Sequence, residues 1–308
     1  MTHLLRALVA FAVFMSVGAF AERSPISEDR ELKEIDLSAW DCRDHSEGSA
    51  KTADAFERNK LKNRSAIDLS GLKFPQFDTR SFLQKFAAFE RQTKGMRRKD
   101  LRAALRPQLD PLEKEIISFT GYLVLAYAGP PESTNCGNPD FHDWHLELFE
   151  KPLDHAPQIG DPTPIICEIT PRTQNAIFRD NIRMQALAGF IRAPDLTIEP
   201  TGHAARKVRV TGYLLWDDEH NGSADVGRTI RFFGANKYHQ PWRSTAWEVH
   251  PVIKIEALDA APASPAVSSA SASPSSTAAI PPVPASPRSA SPQKGHPPSF
   301  PSSSLGTL

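Results

Sequence analysis

Side chains able to do acid, base or metal chemistry recur along this chain on segments that alternate like β-strands. The densest group is FHDWHLELFE, residues 141–150, where Asp143, His145 and Glu147 alternate with Trp144, Leu146 and Leu148. Glu168 in TPIICEITP, Arg172 shortly after it, and Glu248 and His250 in TAWEVHPVIKIEAL extend the set. Imidazole nitrogens and carboxylate oxygens are donors that zinc and manganese accept. His145, Glu147, Glu168 and His250, with His142 and Asp143 at the edge, would make a divalent-metal site able to activate water. No HExxH or CxxC spacing accompanies them, and His and acidic residues on adjacent strands also form ordinary cross-strand pairs. The group therefore reads first as a ligand-binding surface and second as a metal-dependent, phosphodiesterase-like hydrolase. An enzyme is the less favoured class.

Other stretches carry weaker chemistry. DDEHNGSADVGR, from Asp217, partly follows a calcium loop, but Arg228 stands where a bidentate Glu belongs, so a polar loop with a turn at Asn221-Gly222 is the better reading. Cys136 lies near His142 without any nucleophile motif around it, which favours a disulfide or a packed thiol over a reactive thiolate. The chain has three cysteines, Cys42, Cys136 and Cys167. The favoured pair is Cys136 with Cys167, since both fall in one proposed domain, and a buried free thiol is the alternative. Tyr213 and Trp242 are aromatics that could stack on a base or a sugar, although single surface aromatics are common.

The elements that must position these groups are mainly β. IISFTGYLVLAYA, HDWHLELFE, TPIICEITP, RKVRVTGYLLWDD and TAWEVHPVIKIEAL are five strand-like runs bounded by Gly, Pro, Asn and Asp. The long connection between the third and fourth holds DNIRMQALAGFI, which has helical spacing. This is the layout of an OB-fold barrel, with a small β-sandwich as its rival. Alternation places Trp144, Leu146 and Leu148, then Ile165, Cys167 and Ile169, then Val208, Val210, Leu214 and Trp216, then Trp247, Val249, Ile253 and Ile255 in the barrel core. Asp143, His145, Glu147, Glu168, Thr170, Glu248 and His250 should then gather on an exposed outer face. TGYL occurs twice, at Thr120 and Thr211, which is too short to define a repeat.

The flanks differ in texture. Residues 1–21 combine Arg6, an apolar run and Ala19-Phe20-Ala21, the pattern of a cleaved leader, so the mature protein is expected to be exported, periplasmic or secreted, without a membrane span. Residues 22–113 are charged and partly helical. Within them, DTRSFLQKFAAFERQ should form a helix capped by Asp78 or Thr79, its Phe82, Phe86 and Phe89 docking on the next domain. The basic run Arg91, Lys94, Arg97, Arg98, Lys99, Arg102 and Arg106 reads as a solvated face more readily than as a nucleic-acid footprint. Formal net charge is zero, which also argues against a whole-protein nucleic-acid binder. Residues 114–258 hold the barrel, and the Pro/Ala/Ser-rich tail at 259–308 has too little apolar surface to fold.

The series HDWHLEL, CEITPRTQ, VRVTGYLLWDDEH and TAWEVHPVIKIE resembles a group of uncharacterised exported bacterial proteins. The resemblance spans about residues 116–258, with PESTNCGNPDFHDWH and WEVHP its most specific parts. It implies an OB-like barrel with a His-bearing strand and a Pro-Arg turn, and an exported location. It implies no activity. The leading expectation is an exported OB-like binding or interaction module. A metal-dependent hydrolase and a structural envelope protein are the alternatives.

Overall fold

A computed structural model describes residues 30–234 and 237–258, so the expected leader and the Pro/Ala/Ser-rich tail lie outside the described residues. The five strand-like runs form β1 (Ile116–Ala128), β2 (Trp144–Phe149), β3 (Ile165–Ile169), β4 (Lys207–Trp216) and β5 (Trp247–Ala257). They close into a barrel. β1 pairs antiparallel with β2, β2 with β3 and β4 with β5, β3 and β5 run parallel, and β4 returns antiparallel to β1. This five-stranded closed barrel is the OB-type arrangement. The two TGYL stretches fall on β1 and β4, which pair with each other.

Among the described residues five α-helices accompany the barrel: α1 (Ala53–Lys62), α2 (Thr79–Thr93), α3 (Arg106–Leu112), α4 (Pro171–Arg179) and α5 (Met184–Leu187). The helical connection between β3 and β4 starts earlier than its spacing suggested. The Pro-Arg pair expected at a turn opens α4, with Pro171 at the first turn, where no N–H is needed, and the Thr170 N–H donating to Thr173 Oγ1. In α2, Asp78 caps the helix by accepting from Ser81 N at 2.8 Å. Phe82, Phe86 and Phe89 recur along one face and are buried. Phe86 stacks on Trp247 with ring centroids 4.6 Å apart, and Phe89 meets Trp216 edge-on at 5.6 Å.

The barrel interior holds Trp144, Leu146, Leu148, Ile165, Cys167, Ile169, Val208, Val210, Leu214, Trp216, Trp247, Val249 and Ile255, all in one buried cluster with the α2 phenylalanines. One expected core residue differs. Val252 fills the interior where strict alternation put Ile253, because the β4–β5 register shifts between Val249 and Val252 and again between Val252 and Lys254. Such bulges flip the facing of the residues between them. Gly212 opposes the bulge, and a Cβ there would come within 2.3 Å of the Pro251 carbonyl oxygen, so only glycine fits.

The described part of the N-terminal segment is packed into the same structure. Every described residue belongs to one compact unit. The basic run is mixed: Arg91, Lys94, Lys99 and Arg102 are exposed, whereas Arg98 is fully buried, bonding Glu113 through two N–H groups at 2.8 and 2.6 Å and Asp218 at 3.1 Å. Arg106 is tied to Glu57.

Candidate functional site

The strand facing follows the alternation, but the exposure does not. His145, Glu147, Glu168, Glu248 and His250 point out of the barrel, yet none is more than 7% exposed. α1 and the loop before β5 bring Lys62, Arg243 and His239 against this polar face, Lys62 acting on Glu168 and Glu248, Arg243 on Glu248 and His239 on Glu147. A strand face that carries many charges can be buried only if each charge finds a partner, and these cations supply them.

The expected residues separate into different roles. Asp143, Glu168 and His250 come together, with donor atoms within 4.8 Å of one another, a buried group that could hold a metal ion. His250 Nε2 lies 3.6 Å from Asp143 Oδ2, and His250 Nδ1 lies 3.0 Å from Glu168 Oε2. Glu147, expected in the metal set, is drawn away to His239 Nε2 at 2.9 Å. His145 stands next to the group, its Nδ1 3.3 Å from Glu168 Oε1, and its ring stacks on Tyr127 at 5.0 Å. Glu248 sits behind His250 and accepts from its Nδ1 at 3.0 Å, while Arg243 donates to Glu248 at 2.7 Å. Arg172 is not part of this site. It donates to Asn63 and to the Cys42 carbonyl and lies over the Trp40 ring.

Three atoms of the Asp143–Glu168–His250 group, Asp143 Oδ2, Glu168 Oε2 and His250 Nε2, make no hydrogen bond with any described residue. The Glu168 contact to His250 Nδ1 is an ion pair, since the hydrogen bond at that nitrogen goes to Glu248. The opposite edges of the Asp143 and His250 side chains are held. Asn135 Nδ2 donates to Asp143 Oδ1 at 2.9 Å, and Glu248 fixes the His250 ring so that Nε2 faces inward. Outer partners of this kind orient metal ligands.

Electrostatics follow from burial and proximity. Burial opposes the His250 imidazolium, but Glu168 and Glu248 outweigh it and hold its pKa up at about 9. Burial lifts the Asp143 carboxyl to about 7 despite the nearby His250, with Glu132 and Glu168 adding to the lift. Burial would raise Glu168 too, yet His145, His250 and Lys62 together keep it well below the ordinary carboxylate range. His145 is lowered by burial, which favours a neutral imidazole. Pairs whose environments push their protonation apart are a recurrent mark of functional sites.

A cavity of about 220 Å³ opens over His145, lined also by Tyr127, Glu132, His220, Asp225 and Trp242. Trp242 is thus a wall of the cavity, its indole N–H given to Asp225 at 3.0 Å, while Tyr213 lies under the Arg64 guanidinium elsewhere. The calcium-like loop is a polar loop in fact. Asp217 faces Lys62 and Arg243, and Asn221 Nδ2 donates to Met96 O.

The disulfide corrects the expected pairing. Cys42 is bonded to Cys136, and Cys167 is a free buried thiol. Cys167 belongs to the inward-facing set of β3 and packs inside the barrel, so it cannot meet Cys136 in the loop before β2. Sequence reading missed Asn135, Lys62, Arg243 and His239. Asn135 and Arg243 lie near the residues they bond, eight before Asp143 and five before Glu248, while Lys62 and His239 reach Glu168 and Glu147 from distant segments. In comparisons with family models, curated proteins and solved structures, none matched this chain.

Proposed function

We propose that this protein is an OB-type binding module that takes a small polar molecule in the cavity over His145. A divalent cation, zinc or manganese, on Asp143, Glu168 and His250 completes the site. The observation that carries this reading is the meeting of three buried donor atoms without hydrogen bonds, two of them, on Asp143 and His250, on side chains already oriented from behind. An unsatisfied buried polar atom costs about 1–3 kcal/mol, and one cation would satisfy all three. Two carboxylates and one imidazole form a hard-to-borderline donor set, which suits zinc or manganese better than a thiolate-seeking metal. Three protein ligands leave a fourth position for water or a ligand oxygen. Binding would draw the donors together, since a cation places them about 3–3.5 Å apart. The Cys42–Cys136 bond supports the exported location that the leader pattern implies, because disulfides persist outside the reducing cytoplasm.

The second reading is a metal-dependent, phosphodiesterase-like hydrolase. It is favoured by His145, a ring on the cavity wall 3.3 Å from Glu168 whose lowered pKa would leave it free to accept a proton. One set of measurements tests both. Elemental analysis of protein purified without chelator, and calorimetric titration with zinc and manganese, should give one equivalent of metal. Asp143→Asn keeps the oxygen that Asn135 bonds and should abolish binding without lowering the melting temperature. Absence of both bound metal and binding heat in the unaltered protein would overturn the cation. Hydrolysis of generic phosphodiesters that stops with chelator would move the function to the second reading.

A further inference from the structure

A different surface points to a partner rather than a ligand. Between β4 and β5 a short hairpin pairs Phe232–Phe233 with His239–Gln240. Its two phenylalanines are 47% and 45% exposed. Neighbouring residues of a strand face opposite sides, so a hairpin lying flat on the body would bury one of them. Both rings remain about half exposed, although the opposite strand turns inward at His239, which bonds Glu147. Ile159, 59% exposed, lies alongside, because Gly160 N donates to Ile230 O and Ile230 N donates to Asp161 O. Exposed Arg228, Arg231 and Lys237 flank the aromatics. The chain as a whole has zero formal charge; here Arg228 and Arg231 are joined by Lys237, which has Asp195 within electrostatic reach.

We propose that this hairpin docks the protein on an anionic lipid surface. Phe232, Phe233 and Ile159 enter the headgroup layer, and Arg228, Arg231 and Lys237 meet lipid phosphates. Aromatic rings settle at the boundary between water and acyl chains, and basic side chains there gain from the negative surface potential. A second copy of the chain is the poorer occupant. In a two-fold contact the patch faces itself, which would set three cations against the same three. The hairpin also supplies Tyr238 and Gln240 to the cavity wall, so a docked molecule holds its cavity beside the lipid.

The test is co-sedimentation of the full chain with vesicles of phosphatidylglycerol and phosphatidylcholine, against phosphatidylcholine alone, at low and high salt. The unaltered chain should bind the anionic vesicles and release with salt. Phe232→Ser/Phe233→Ser should weaken binding by at least about tenfold, given the transfer of two aromatic rings. Arg228→Gln/Arg231→Gln should weaken it by roughly 25-fold, about fivefold for each charge. Circular-dichroism melts establish that both variants are folded. Comparing variants isolates the hairpin from any contribution of the leader-like residues. Three results would overturn the proposal: no binding to anionic vesicles, equal binding by the folded variants, or a dimer of the unaltered chain that the phenylalanine variant dissolves.

Discussion

Asp217 illustrates how a carboxylate stays ionised in the interior. It is fully buried, 3.9 Å from Lys62 Nζ and 3.5 Å from Arg243 Nη1. Burial alone would raise its pKa, but Lys62, His220, Arg243 and Arg58 reverse the effect and hold it far below the ordinary range. A depressed carboxylate contributes stability that is present above the unfolded value, about 4, and is lost as pH falls below it. Asp217→Asn should therefore destabilise the fold by about 3–5 kcal/mol at pH 7, because it leaves buried cations less compensated. The gap from the unaltered protein should narrow by about 1.4 kcal/mol per pH unit below about 4. Denaturant unfolding of both proteins at pH 7, 4 and 3 measures it, and a gap that stays constant with pH would contradict the assigned charge. The side chains of the candidate site were legible in part for a related reason. Alternation correctly sent His145, Glu168 and His250 out of the barrel, since the period of two is a local property. Their burial was not legible. It depends in part on Lys62 arriving on α1, more than eighty residues upstream of His145 in the chain, and no local pattern announces such a cover.

Among the elements, the loop before β2 carries most of the site's second layer. Cys136 ties this loop to Cys42, and the neighbouring Asn135 positions the Asp143 carboxylate. The bond closes a separation of 94 residues, for which loop-closure entropy gives about 4–5 kcal/mol. Cys42→Ser should lower unfolding stability by about 2–5 kcal/mol and also weaken metal binding, as Asn135 loosens its hold on Asp143. Denaturant melts and calorimetric titration of the same variant read the two effects. A variant with lost stability but full metal affinity would mean that Asn135 is held in place without the disulfide. The pairing could have been found from the sequence by following its own logic one step further. A cysteine placed between Ile165 and Ile169 on the inward face of β3 has no route to a loop outside the barrel. The Val252 exchange had its signal in Pro251, which cannot donate to the ladder and stands within the register shift between Val249 and Val252.

At the scale of the molecule, the barrel and the segment before it form one core. Phe82, Phe86 and Phe89 of α2 are buried in the same cluster as Trp216 and Trp247, and Arg98 bonds Glu113 and Asp218 across the join. Arg64 donates to the carbonyls of Leu214 and His250, which fixes the approach to β4 and β5 from the same side. Five strand-like runs with a helical link were enough to reveal the barrel, because strand period and turn chemistry are local. That residues 30–113 share its interior is a matter of long-range packing, which the phenylalanine stripe of α2 hinted at without naming the surface it meets. A polypeptide of residues 114–258 alone would expose Trp216 and Trp247 where α2 had covered them and would leave Asp218 and the Trp216 carbonyl without their donor Arg98. Removing three buried phenylalanines is equivalent to several truncations of about 3–5 kcal/mol each, more than a domain of this size holds in reserve. The isolated barrel segment should therefore lack a cooperative melt and native near-ultraviolet dichroism, whereas the full chain should unfold in one transition seen identically by tryptophan fluorescence and far-ultraviolet dichroism. A barrel segment that melts cooperatively with native tryptophan signals would show that the N-terminal segment is a cover laid on a finished domain and not part of its core.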